Sequence, residues 1–115
     1  MTIQDAYAIT GSNYSDVLGR LVRDTLVEKF ALRFVQDDSF ALLKESLAND
    51  DCATAFRAAH TLKGVCANLG FTRLRETAGQ LTELLRAGTL EGTEPLFLKL
   101  SEEYAHLLGQ IALLD

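Results

Sequence analysis

The final stretch of the chain, TEPLFLKLSEEYAHLLGQIALLD, sets Phe97, Leu100, Tyr104, Leu107, Ile111 and Leu114 at alternating steps of three and four. A strand returns to the same side every second residue, so this pattern buries one side only as a helix. Its alternation is the seam that a helix presents to neighbours in a bundle. The helix is predicted over about residues 94–114, with Thr93 as N-cap and Pro95 in the first turn, where a missing N–H is tolerated.

The rest of the sequence divides into pieces with the same character. A short helix is predicted over about 13–22, after the polar cluster GSN, with Val17, Leu18 and Leu21 on one side. From Thr25 to about Gln36, Leu26, Val27, Phe30, Ala31, Phe34 and Val35 form an apolar stripe opposite Glu28, Lys29 and Arg33. Ser39 is the expected N-cap of a helix carrying Phe40, Leu43 and Leu47, and Asp50 or Asp51 caps the next, over about 51–69, which stops at Gly70. Another runs from about Thr72 to Ala87 with Leu74, Ala78, Leu81 and Leu85 inward, ending at Gly88. Phe30, Phe34 and Phe97 belong to these core stripes.

No segment reads as a strand, and short loops between amphipathic helices favour antiparallel neighbours. The expected fold is all-α: an antiparallel up-down-up-down four-helix bundle with an additional short N-terminal helix packed on it. At 115 residues the chain is expected to be a single domain, 1–115.

Composition excludes several roles. A formal net charge of −5 argues against a nucleic-acid binder, which needs a basic face. There is no apolar run of membrane-spanning length and no secretory signal, so a cytoplasmic protein is expected. Cys52 and Cys66 would lie about 21 Å apart along one helix, beyond disulfide reach, and are expected reduced. The chain lacks the glycine-rich loop of ATP enzymes, so no autokinase activity is expected.

One of the two histidines lies in AAHTLKGVCANLG, residues 58–70. At about 100° per residue, Ala55, Ala58, Leu62, Val65, Cys66 and Leu69 fall opposite His60 and form the core stripe. His60 therefore points outward, accompanied by Ala53, Phe56, Lys63, Gly64 and Ala67. A solvated face is usually rich in charged residues, yet this one is small and apolar. Its glycine costs about 1 kcal/mol against alanine. Small residues around an outward imidazole let a partner surface approach, with Phe56 for it to rest on.

From Cys52 through Arg75 the only charged residues are Arg57, Lys63, Arg73 and Arg75, all positive. A water-exposed imidazole, ordinarily titrating near about 6.5, is a competent nucleophile at neutral pH and can form a phosphoramidate. Lys63, three residues on, is placed to offset charge on phosphoryl oxygens.

At AHTLKG, with its helix-ending Gly70 and the following LRETAGQLTELLRAG, the sequence resembles the histidine-containing phosphotransfer (HPt) domain family. The likeness runs from about Tyr14 to the C-terminus and includes KFALRF and EEYAHLLGQI. It implies that His60 takes a phosphoryl group from the aspartyl-phosphate of one receiver domain and passes it to another's aspartate. Lys63 would assist with phosphate charge and Gly64 would give steric clearance. Phe56, Arg57, Ala67 and Arg73 are the expected docking residues, although Arg73 and Arg75 equally suit a solvated first turn. The implied partners are response-regulator receivers or a hybrid sensor kinase, with a monomer sufficient. No cofactor is expected on this chain, and Mg²⁺ is expected on the receiver. Many family members place a Gln or Glu of the following helix against the histidine ring. Here the equivalent position is Thr82, with Gln80 or Glu83 as substitutes if the helix is rotated.

Two rivals are weaker. A sensor-kinase dimerisation helix would carry an acidic residue directly after its histidine and a proline four or five residues later, where this chain has Thr61, Gly64 and Val65. A helical adaptor that binds receivers without accepting phosphate would not need both His60 and Lys63. A metal site from His60, Cys66 and His106 is disfavoured because Cys66 lies across the helix and no close ligand pair exists. His106 is read as a solvated helix residue.

Overall fold

The computed structural model describes residues 1–115, which form seven α-helices and no strand. These are α1 (Ile3–Ile9), α2 (Tyr14–Leu21), α3 (Asp24–Phe34), α4 (Ser39–Ala48), α5 (Cys52–Leu69), α6 (Thr72–Arg86) and α7 (Thr93–Ile111). α5 packs against α4 and α6, and α6 against α7. Phe40 of α4 stacks on Phe97 and Tyr104 of α7, at ring separations of 5.5 and 4.0 Å, and so joins the first of these helices to the last. No helix is long and apolar enough to cross a membrane.

The element unforeseen from the sequence is α1. Its N-terminus is a reciprocal cap, in which the Thr2 hydroxyl accepts from the Asp5 N–H at 3.1 Å and the Asp5 carboxylate accepts from the Thr2 N–H at 3.2 Å. Ile3, Ala6 and Tyr7 are its buried face. The expected N-terminal helix is α2, capped by the Asn13 side chain and closed at Val22, whose φ of 72° ends the helix one residue short of the predicted span.

Two predicted caps move by one residue. Ser39 is the first residue of α4, after Asp38, and its N–H donates to the Asp37 carboxylate at 2.9 Å. Thr93 likewise opens α7 behind Gly92, whose φ of 79° suits glycine. Asp51, of the two candidates, caps α5 by accepting from the Thr54 N–H at 3.1 Å. That role holds its carboxyl below the ordinary carboxylate range.

The C-terminal end of α5 is held from outside. Its last carbonyls lack partners within the helix. The Tyr7 phenol donates to Leu69 O at 2.6 Å, and the Arg20 guanidinium donates to Ala67 O at 3.0 Å and to Asn68 O at 2.7 Å. The Phe71 N–H takes Cys66 O at 2.9 Å, while the Asn13 N–H donates to Gly70 O at 2.7 Å. Gly70 is required here twice over: its φ is +72°, and a Cβ would come 2.5 Å from Asn13 O. Helices α1 and α2 thus fix the lower end of the helix that carries His60.

Candidate functional site

Along α5 the buried residues are Ala55, Ala58, Ala59, Leu62, Cys66 and Leu69. Ala59 joins the predicted stripe, and Val65 leaves it to become half-buried beside the hollow between α2, α3 and α5. His60 is exposed, as are Lys63 and Gly64, while Phe56 and Ala67 are half-buried. Residues at i−4, i, i+3, i+4 and i+7 share one side of a helix. Phe56, His60, Lys63, Gly64 and Ala67 therefore form one continuous outward row.

The Phe56 ring lies 6.1 Å from the imidazole, tilted by 51°. On the other flank the Lys63 side chain runs over α6 at Gly79, where an added Cβ would rest 3.7 Å from its Cδ and Cε. A Cβ on Gly64 would meet nothing within 4 Å. Nothing in the chain's own packing therefore calls for glycine at that position, in the middle of a helix where it is unfavourable.

Thr82 makes no hydrogen bond to the ring. It is fully buried, and its hydroxyl donates to the Ala78 carbonyl at 2.7 Å, the usual back-bond of a mid-helix threonine. Glu83 pairs with Arg86 at 3.3 Å instead of the imidazole, and Gln80 shares an open hollow with Lys63.

The positive residues also separate. Arg57 is exposed and donates to the Thr54 hydroxyl at 3.1 Å. Arg73 is turned away from the His60 row: its guanidinium lies against Gly11, where a Cβ would approach it to 2.7 Å. Beside it are Glu102, Glu103 and the exposed His106 of α7. Arg75, not Arg73, lines a shared hollow with Ala67.

His60, Cys66 and His106 point to three different places. Cys66 is sealed in the core, where burial and the charge of Asp37 push its thiol up to about 12.

Two α6 residues that the helical projection did not name lie against the row. One is Gly79, under Lys63, and the other is Arg86, whose guanidinium carbon sits 5.0 Å above the Phe56 ring. Neither carries a signal in the sequence, because each depends on the register between α5 and α6.

An outward imidazole flanked by an ammonium, an unencumbered glycine and an apolar ring is suited to accept a group from a second protein. Comparison with known families agrees, since a model of the Hpt domain family matches residues 35–110. The chain belongs to the Hpt domain family. No curated protein and no solved structure gives a significant match. Hpt domains mediate phosphotransfer in two-component phosphorelays, are not kinases, and interact with receiver domains. Of this chain's helices, α1, α2 and α3 precede the matched segment.

Proposed function

We propose that this Hpt domain is a phosphorelay intermediate in which His60 accepts a phosphoryl group from one receiver's aspartyl-phosphate and delivers it to another receiver's aspartate. The observation that carries this reading is the exposed position of His60 within the row from Phe56 to Ala67.

A ring nitrogen of His60 attacks phosphorus in line. The P–N bond forms as the acyl P–O bond breaks, the aspartate departs with the electron pair, and the ring proton passes to solvent. The reverse sequence transfers the group to the second receiver. Such transfer depends mainly on positioning and charge stabilisation, so one nucleophile on a rigid helix suffices on this side. Lys63 lies on the flank where the equatorial oxygens would sit. Gly64 lets the receiver's backbone approach, and Phe56, Arg57 and Ala67 border the contact. The divalent ion of the reaction belongs to the receiver.

The scaffold we propose is one domain over 1–115, with α4 to α7 as the up-down-up-down four-helix frame. The pairing of Phe56 with Arg86 and of Lys63 with Gly79 supports opposite directions for α5 and α6. A hydrophobic core of 21 buried residues extending from α1 to α7 supports one unit.

Mixing a phosphorylated receiver with the chain tests the reading. Label is expected on wild type and not on His60→Gln, while His106→Gln labels normally. Equal label on wild type and His60→Gln would overturn it. Receiver binding without any label would replace it with the adaptor role.

A further inference from the structure

His60 is bracketed by two cations that differ in kind. Lys63 follows on the same helix, and its stem lies along α6. Arg86 reaches the other flank from α6, with its guanidinium stacked on the Phe56 ring, and that ring is the imidazole's nearest aromatic neighbour. At 5.0 Å from the ring centroid the guanidinium is within cation–π range.

Stacking orders the planar fork without consuming its donors, so little rotamer freedom remains to be lost on binding. Its one ion pair, to Glu83 at 3.3 Å, joins side chains that are 55% and 63% exposed, and such a pair is readily exchanged. The Phe56 ring occupies one face of the fork. The Arg86 side chain stays more than half exposed beside this half-buried aromatic, at the hollow it lines with Cys52, Ala53 and Leu85.

We infer that Arg86 is a docking residue that engages a carboxylate on the receiver surface beside His60, with Phe56 holding it in place and Glu83 occupying it in the free protein. This rests on the phosphotransfer reading above. A surface that presents an acyl phosphate is anionic at its centre, and the guanidinium fork matches a carboxylate in two-point contact. Arg86 meets the Phe56 ring and not the imidazole, which assigns Arg86 to the partner and leaves Lys63 for the phosphoryl group. Glu83 competes for the same donors, so its removal acts in the opposite direction.

The test is the initial rate of phosphoryl transfer from a receiver domain loaded with radiolabelled acetyl phosphate, measured against receiver concentration for four chains. Relative to wild type, Arg86→Gln is expected to raise KM about five-fold with kcat within about two-fold, and to flatten the salt dependence of KM. Arg86→Lys recovers part of the loss, and Glu83→Gln lowers KM. All three substitutions are at exposed positions, so circular dichroism is expected to show unchanged helix content. An unchanged KM in Arg86→Gln, or a fall in kcat at constant KM, overturns the docking role while leaving the His60 reading intact. Failure of wild type to take label overturns that reading and this inference together.

Discussion

The phenol of Tyr7 donates a 2.6 Å hydrogen bond to the carbonyl of Leu69, a residue 62 positions further along the chain. This ties the first helix to the end of the helix that carries His60. Burial holds the Tyr7 phenol well above its ordinary pKa, so it remains a donor through the neutral range. Tyr7→Phe removes the donor and leaves a buried carbonyl unsatisfied, at a cost of about 1–2 kcal/mol, or about 5 °C in melting temperature. Thermal unfolding of the two proteins checks this, and equal midpoints would show that the bond contributes nothing net.

Helix α1 illustrates which structure was legible in the sequence. Long amphipathic segments such as α5, α6 and α7 declare themselves by period, and their ends by Asp51, Gly70 and Gly88. The seven residues of α1 are too few for a period to emerge, and the usable signal was the spacing of Thr2 and Asp5, a cap with Asp in the place of the usual Glu. The cap shifts at Ser39 and Thr93 have a similar origin, since a hydroxyl that suits an N-cap also suits the first turn. In the site, the outward row of Phe56, His60, Lys63, Gly64 and Ala67 could be placed by projection of one helix, whereas Ala59 and Val65 depended on what packs beside α5. Arg73, Arg75, Thr82 and Arg86 could not, because their environments depend on how α6 is rotated against α5 and on what the N-terminal helices cover.

Lys63 separates a chemical contribution from a structural one. Its stem rests on Gly79 and its ammonium is exposed. Lys63→Ala is therefore expected to change the melting temperature by less than about 2 °C, as exposed substitutions do. It is expected to slow phosphoryl transfer about ten-fold, an exposed charge being worth less than a buried one. Lys63→Arg restores most of the rate. A large fall in melting temperature with an unchanged rate would reverse the assignment.

The two thiols are expected to differ in reactivity. Cys66 is sealed in the core with its pKa pushed up to about 12, so at neutral pH it has almost no thiolate and no path for reagent. Cys52 is half-buried and contacts the Leu85 carbonyl at 3.6 Å. Iodoacetamide should modify Cys52 in the native protein and Cys66 only after denaturant is added, as read by mass spectrometry of the peptides. Equal native labelling would mean that α5 opens locally far more often than its packing implies.

Asp51 gives α5 a pH dependence with a definite sign. The Thr54 side chain and the Thr54 N–H, which donates to the carboxylate at 3.1 Å, lower its pKa below the ordinary 3.8. A group with a depressed folded pKa stabilises the native state above its unfolded value and loses that contribution as pH falls through the folded one. Wild type should therefore melt above Asp51→Ala at pH 6 by about 4 °C, and the gap should narrow as pH falls through the depressed folded value. Asp51→Asn, which caps without titrating, should retain its advantage over alanine above and below that value. A gap independent of pH for wild type would rule out the charged form as the source.

Gly64 supplies the sharpest contrast, because stability and function should move in opposite directions. A Cβ there meets nothing within the chain and the backbone is helical, so Gly64→Ala should raise stability by about 0.5–1 kcal/mol. Gly109 on α7 is equally unencumbered, and Gly109→Ala should stabilise by a similar amount. If Gly64 is kept for the close approach of a receiver, the two variants diverge in binding. Gly109→Ala leaves receiver affinity unchanged, whereas Gly64→Leu, and to a smaller degree Gly64→Ala, weakens it. Titration calorimetry against a receiver, paired with thermal unfolding, reads both effects. Equal affinities across all four proteins would remove the steric argument for this glycine, even if His60 still carried the phosphoryl group.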